Sequence, residues 1–148
     1  MRALVQRVTR ASVTIGGEVT ARIGAGYLVL LGVGEGDTPA EAERLWSKLR
    51  DLRIMEDDEG RVNRSLMDAA GDVLVVSQFT LYANCRRGRR PSFTDAASPD
   101  LARELYEYFV ELARRDVERV QTGTFAADMS VDLVNDGPFT VMLDTADL

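Results

Sequence analysis

Apolar positions recur along the chain with two different periods. Residues 3–8 and 12–15 are rich in Val and Ile and read as strands, and Gly16-Gly17 then marks a hairpin turn into a further strand over Glu18 to Ile23. After Gly24-Ala25-Gly26 the run Tyr27-Leu28-Val29-Leu30-Leu31-Gly32-Val33 is continuously apolar, which suits a strand buried on both faces. Asp72-Val73-Leu74-Val75-Val76-Ser77 repeats that pattern and runs straight into the polar residues Gln78 and Thr80. Near the end, Met129 to Val134 and Phe139 to Leu143 read as two strands separated by Asn135-Asp136-Gly137-Pro138.

Two segments switch to helical spacing. Thr38-Pro39-Ala40-Glu41 is a capping box with Pro at the first helical position, and Ala42, Leu45, Trp46, Leu49 and Leu52 follow on one face. Ser98-Pro99-Asp100 opens the second helix, whose apolar stripe is Leu101, Leu105, Tyr108, Phe109 and Leu112. Both stripes read as core packing. Asp57-Asp58-Glu59-Gly60 reads as a tight, solvated acidic turn, because the spacing of a twelve-residue calcium loop is missing. The pattern predicts an α+β fold: a curled, largely antiparallel sheet or partial barrel, with the two helices packed on its outside. No repeat or linker divides residues 1–148, so one domain is expected.

Composition then removes whole classes of chemistry. The 148 residues include no histidine and one cysteine, Cys85. Ser-His-Asp and Cys-His triads, His-containing zinc sites and CxxC redox chemistry are therefore excluded. No metal and no cofactor are expected. The net charge of −6 argues against generic nucleic-acid binding, so a nucleic-acid partner needs a local basic patch. No run approaches a membrane span, and Met1 to Val8 is too charged and too soon alternating for a signal peptide, so a soluble, cytoplasmic protein is expected.

Four segments carry candidate chemistry. Ser77-Gln78-Phe79-Thr80 places hydroxyls, an amide and a ring where a buried strand ends, a position equally compatible with simple strand termination. Without an imidazole, Ser77 or Thr80 lacks the adjacent base that a hydroxyl nucleophile needs. In Asn135-Asp136-Gly137-Pro138-Phe139-Thr140, Gly137 is free to take positive φ and the following X–Pro bond is open to either isomer. Cys85-Arg86-Arg87-Gly88-Arg89-Arg90 carries four arginines in five positions and is the best electrostatic candidate for phosphate, the alternative being a solvated loop. Finally, Thr122 to Met129 offers small residues with Phe125 and Met129, which suit either an adenine face or core packing.

These segments, in this order, resemble the D-aminoacyl-tRNA deacylase family over nearly the whole chain. The two diagnostic motifs are Ser77-Gln78-Phe79-Thr80 and Asn135-Asp136-Gly137-Pro138-Phe139-Thr140, with Arg53-Ile54, Asn63, Gly88 to Phe93 and Asp128-Met129 in support. The resemblance implies a homodimeric, metal-independent hydrolase that cleaves the ester joining a D-amino acid, or glycine mischarged on tRNA-Ala, to the 3′-terminal adenosine of tRNA. It implies a proofreading role that spares L-aminoacyl-tRNA, with neither membrane nor DNA as partner. It also implies that Gly137-Pro138 is cis and enters the partner's pocket as a chirality filter. Ser77, Gln78, Phe79 and Thr80 would line the catalytic floor, with backbone N–H groups near the scissile carbonyl. Phe125, Ala126 and Met129 would surround the adenine, Arg7 would brace the Gly137-Pro138 carbonyls, and Asn135 and Thr140 would support that segment. The RNA's own 2′-hydroxyl would assist the attacking water.

The residue inventory fits such chemistry independently, since positioning and oxyanion stabilisation can hydrolyse an activated ester without a triad. A backbone filter also suits substrates whose side chains vary, because hydrophobic pockets discriminate by only about 1–3 kcal/mol per methylene. Two other readings stand beside it: the same scaffold editing a small L-aminoacyl-tRNA, and a non-catalytic module that holds tRNA 3′ ends.

Overall fold

Strand burial on both faces is the organising feature of the computed structural model, which describes all residues from Met1 to Leu148. In chain order the elements are β1 (Arg2–Ile15), β2 (Glu18–Ile23), β3 (Gly26–Gly32), α1 (Pro39–Arg50), β4 (Met55–Glu56), β5 (Val62–Arg64), β6 (Asp72–Ser77), α2 (Pro99–Asp116), β7 (Val120–Thr122) and β8 (Ser130–Asp144). One-turn 3₁₀ helices occupy Phe79–Tyr82 and Thr145–Asp147.

The long β1 organises the main sheet. Its first half pairs with β3, its second half with β2, and β8 runs antiparallel to it along the other edge. The sheet then continues from β3 to β6 to β7, and these two pairings are parallel. Parallel neighbours need a crossover. Helix α1 lies between β3 and β6 in the chain and α2 between β6 and β7, so both helices cover the same face. The expected α+β architecture is present, as a mixed, nearly closed, barrel-shaped sheet with two helices.

Two apolar cores result, and alternation along the strands sorts residues between them. Tyr27, Val29 and Leu31 of β3 and Val73 and Val75 of β6 point toward the helices, where Leu45, Trp46, Leu49, Leu105 and Phe109 complete the larger core. Leu28, Leu74 and Val76 point the opposite way, into the curl of the sheet with Val8, Val13, Ala21 and Ile23. Trp46 meets Phe109 edge to face, with centroids 5.7 Å apart and planes at 86°. Helix α1 begins as the sequence indicates: the Thr38 N–H and hydroxyl donate to the Glu41 carboxylate at 2.8 and 2.6 Å. Those two bonds hold Glu41 below the usual carboxylate range.

Three sequence expectations need correcting. Residues 3–8 and 12–15 form one continuous strand, in which register shifts against β8 between Gln6 and Arg10 swap the faces of the alternation. The two final strands are likewise one, since β8 passes through Asn135 to Pro138. The buried face of α2 is centred on Leu105, Tyr106, Phe109, Val110 and Ala113, leaving Leu101, Tyr108 and Leu112 at its margin. The Gly16-Gly17 turn has positive φ at both residues, 59° and 86°, as a tight hairpin requires. Asp57 to Gly60 is the turn between β4 and β5.

Candidate active site

The Ser77–Thr80 motif sits where β6 ends at the carboxyl edge of the three parallel strands. Ser77 is the last residue of β6 and pairs in register with Leu31 of β3. The Gln78 N–H still reaches the Leu31 carbonyl at 2.8 Å, after which the chain turns into the 3₁₀ helix Phe79–Tyr82. Bonds of that helix run from Leu81 N–H to Gln78 O and from Ala83 N–H to Thr80 O. The Phe79 and Thr80 N–H groups precede its first acceptor-bonded position and are left without an intrahelical partner. The Gln78 amide donates to the Thr80 hydroxyl. Phe79 is 56% exposed, an unusual setting for a ring beside a buried strand.

Two glycines let this turn lie flat on the sheet. A Cβ on Gly34 would sit 2.7 Å from the Tyr82 ring, and one on Gly32 would sit 3.1 Å from the Gln78 carbonyl. Arg2 clamps the same turn from the other side: its Nη1 donates to the Leu81 carbonyl at 2.9 Å and its guanidinium lies 4.4 Å over the Tyr82 ring.

The Thr122–Met129 segment adjoins this floor. Gly123 N–H donates to Val75 O at 3.0 Å, continuing the β6–β7 pairing toward Ser77. Tyr106 fixes the junction through its hydroxyl, which donates to Val75 O at 3.0 Å; burial pushes that phenol up to about 12. The turn Thr124–Ala127 closes with a 3.2 Å bond, and Ala126 holds φ 62° at its third position, a conformation normally left to glycine. The Phe125 and Tyr106 ring centres lie 5.9 Å apart, and the Arg103 guanidinium lies over the Phe125 ring at 4.7 Å. An open groove of about 420 Å³ runs here between α2 and residues 122–125. Met129 packs toward the inner core, with its sulfur close against Gly123.

The second motif is braced separately. Gly137-Pro138 is cis, with Gly137 at φ 114°. The Asn135 amide donates to the Arg7 and Phe139 carbonyls, both at 2.9 Å, tying the two ends of the excursion together. Thr140 completes this knot, lying 3.4 Å from the Asn135 amide oxygen and accepting from Gln6 at 3.3 Å. Arg7 is 2% exposed. It donates to Asp136 O at 3.2 Å, Ile54 O at 2.8 Å and the Glu56 carboxylate at 3.0 Å, and its guanidinium lies 5.3 Å from the Phe139 ring centre. The brace therefore bears on the carbonyl of Asp136, one residue before the Gly137-Pro138 pair expected from sequence. Arg53, bound to the Asn63 carbonyl at 2.6 Å, ties the segment carrying Ile54 to β5.

The β6–β7 pairing brings the segment Thr122–Met129 alongside the end of β6 that leads into Ser77–Thr80, but Gly137-Pro138 lies apart from both. Ser77, Leu31, Ala3 and Leu143 share one transverse row across four strands, and Gly137 lies six residues back along β8. Three strand spacings and six residues of rise separate the motifs of one chain by on the order of 20 Å. Sequence reasoning named Ile54 only within a supporting motif, without the role of its carbonyl, and missed Glu56, Tyr106 and the close-approach glycines Gly32 and Gly34. Only Tyr106 gave a signal, as an aromatic on a helix whose hydroxyl needs a buried partner.

Residues 4–144 match the family model of the D-Tyr-tRNA(Tyr) deacylases. The chain belongs to this family. A D-aminoacyl-tRNA deacylase of Thermosipho melanesiensis is 55% identical over 98% of this chain and 97% of its own length. Another, from Roseiflexus sp., is 59% identical over 99% of this chain and 94% of its own. Among solved structures, one described as the c-Myc DNA Unwinding Element Binding Protein is 43% identical, with TM-score 0.93 over 97% of this chain and 98% of that one. A probable eukaryotic D-amino acid tRNA deacylase shares the fold at TM-score 0.81 and 20% identity, over 96% of this chain and 97% of that one. The deacylase family thus covers both motifs and the segment between them.

Proposed function

We propose that this protein hydrolyses the ester of D-aminoacyl-tRNA, and of glycyl-tRNA mischarged on tRNA-Ala, releasing the amino acid and intact tRNA while sparing L-aminoacyl-tRNA. Near-full-length identity above 50% to D-aminoacyl-tRNA deacylases supports the activity. The observation that carries the division of labour is the separation of the two motifs within one chain.

In this reading the ester of the 3′-terminal adenosine lies over Ser77, Gln78, Phe79 and Thr80, with its carbonyl oxygen near the free Phe79 and Thr80 N–H groups. Such preorganised donors stabilise the oxyanion that develops when water attacks. The 2′-hydroxyl of the RNA assists that water, and Phe125, Ala126 and Met129 hold the adenine. Thr80 orients Gln78 and forms no covalent bond. The chirality filter is Gly137-Pro138 of a second copy, whose carbonyls occupy the space an L side chain needs at the α-carbon. Arg7, Asn135 and Thr140 hold that filter rigid.

A homodimer supplies the missing half of the site. Leu4 pairs with Leu30 on one side and Met142 on the other, on the face away from the helices, and Met142 is 50% exposed. An apolar patch of this kind, with the exposed Phe79, suits burial against a second copy.

Incubating the purified protein with D-Tyr-tRNA and L-Tyr-tRNA, with and without chelator, tests the proposal. Rapid loss of the D ester alone, indifferent to chelator, is expected. Preferential cleavage of a small L-aminoacyl-tRNA would replace it with the editing alternative, and tRNA binding without turnover would replace it with the holding module.

A further inference from the structure

We infer that the loop Arg86–Arg90 is a phosphate-gripping prong that holds the backbone of the tRNA 3′ arm as it enters the site; this rests on the function proposed above. The loop is a closed, exposed projection. Asn84 and Ser92 exchange backbone bonds of 2.8 and 3.0 Å at its base, and Gly88 turns its tip at φ 71°. Arg86, Arg87, Arg89 and Arg90 are all exposed, and none forms an ion pair within the chain. By contrast, Arg2, Arg7, Arg50, Arg61, Arg64 and Arg119 each face a carboxylate.

The electrostatic setting makes this spacing informative. Removing these four from 18 basic residues leaves 14 against 24 acidic ones, so the rest of the chain is net acidic. Eight other basic residues also lack an ion pair, but they are spread from Arg10 to Arg115, whereas the prong sets four within five positions. Guanidinium forks suit phosphate oxygens, which accept paired N–H donors.

Its placement ties the prong to the reaction. The loop leaves directly from the 3₁₀ helix Phe79–Tyr82 and returns at Phe93, whose ring meets Phe79 at 5.0 Å and 70°. Both ends of the prong are thus rooted in the floor on which the terminal adenosine's ester would lie. The phosphates just upstream of that adenosine must pass over the adjoining surface, within reach of these side chains. The prong reads no base. Its contribution is to affinity and to delivery of the ester.

The test replaces Arg86, Arg87, Arg89 and Arg90 together by Gln and measures two things across a salt series. The first is affinity for deacylated tRNA by filter binding, which is independent of turnover; the second is hydrolysis of D-Tyr-tRNA beside 3′-O-D-tyrosyl-adenosine, which carries no phosphate. The expected result is a KM for D-Tyr-tRNA raised about tenfold or more with kcat nearly kept. The slope of log affinity against log salt should fall by about 2–3, from about 0.7 per single-strand phosphate contact. The loss should vanish on the nucleoside ester. An unchanged tRNA affinity and salt slope would overturn the prong, as would an equal loss on the nucleoside ester. A parent protein that binds tRNA through the prong but never cleaves D-Tyr-tRNA would refute the proposed function and leave this inference standing.

Discussion

Arg7 and Gly137 are in such close contact that a methyl group added to Gly137 would lie 2.7 Å from the Arg7 Nη2. Arg7 has little slack to yield that space, because Ile54 O holds its Nη1 and the Glu56 carboxylate holds this same Nη2. The positive φ of Gly137 adds strain for any L side chain. Gly137→Ala is therefore expected to cost about 2–3 kcal/mol of stability. It should also blunt enantiomer discrimination if the Gly137-Pro138 carbonyls act as the proposed filter of the α-carbon, because they would shift. Urea unfolding together with the ratio of D- to L-Tyr-tRNA cleavage checks both effects; an unchanged ratio would show that the contact does not position the filter.

Arg7→Lys separates charge from geometry at the same place. Lysine keeps the charge but lacks the fork that reaches three acceptors at once. A loss of about 2–3 kcal/mol is expected from the abandoned carbonyls, with a weakened D-over-L preference, as read by the same pair of assays.

Thr80 is the residue a covalent mechanism would choose, yet its hydroxyl is committed to Gln78. If it only orients that amide, Thr80→Ala loses one neutral hydrogen bond worth about 1 kcal/mol, and kcat stays within about tenfold of the parent. Single-turnover deacylation measures this. Complete inactivity of a folded variant, with an acyl group trapped on the parent's Thr80, would contradict the positioning role.

Much of this arrangement was legible in the chain, and the gaps have physical causes. The doubly apolar runs at Tyr27–Val33 and Asp72–Ser77 identified the central strands, because only a strand covered on both faces needs side chains of one kind throughout. The breaks read after Val8 and at Asn135 are bulges and a side-chain-supported excursion within unbroken strands. A period-two pattern loses phase at such points, although backbone pairing continues. Val120–Thr122 is too short to show any period, and it is placed by the α2 crossover rather than by its own residues. The Ile54 carbonyl that anchors Arg7 has no side-chain signature at all.

Acid sensitivity of the helix pair follows from Asp116. Its carboxylate accepts from Trp46 Nε1 at 2.8 Å and Arg50 Nη1 at 2.7 Å, and these bonds hold it below the ordinary aspartate range. A lowered folded value means stability that is present above the unfolded aspartate pKa near 4 and lost as pH falls through the folded one. Asp116→Asn is expected to lower the urea midpoint at pH 6, with the gap from the parent narrowing toward pH 3. A gap that widens in acid would reverse the assignment.

Whether two chains build each site is most directly measured with mixed dimers. One tagged protomer carries Gln78→Ala and Phe79→Ala in the floor, and the other, differently tagged, carries Gly137→Ala in the filter. Each homodimer should be inactive or unselective, while the purified heterodimer contains one intact composite site and recovers about half the parental D-Tyr-tRNA deacylation with its preference over the L ester. A heterodimer as impaired as its two parents would contradict an active site shared between protomers.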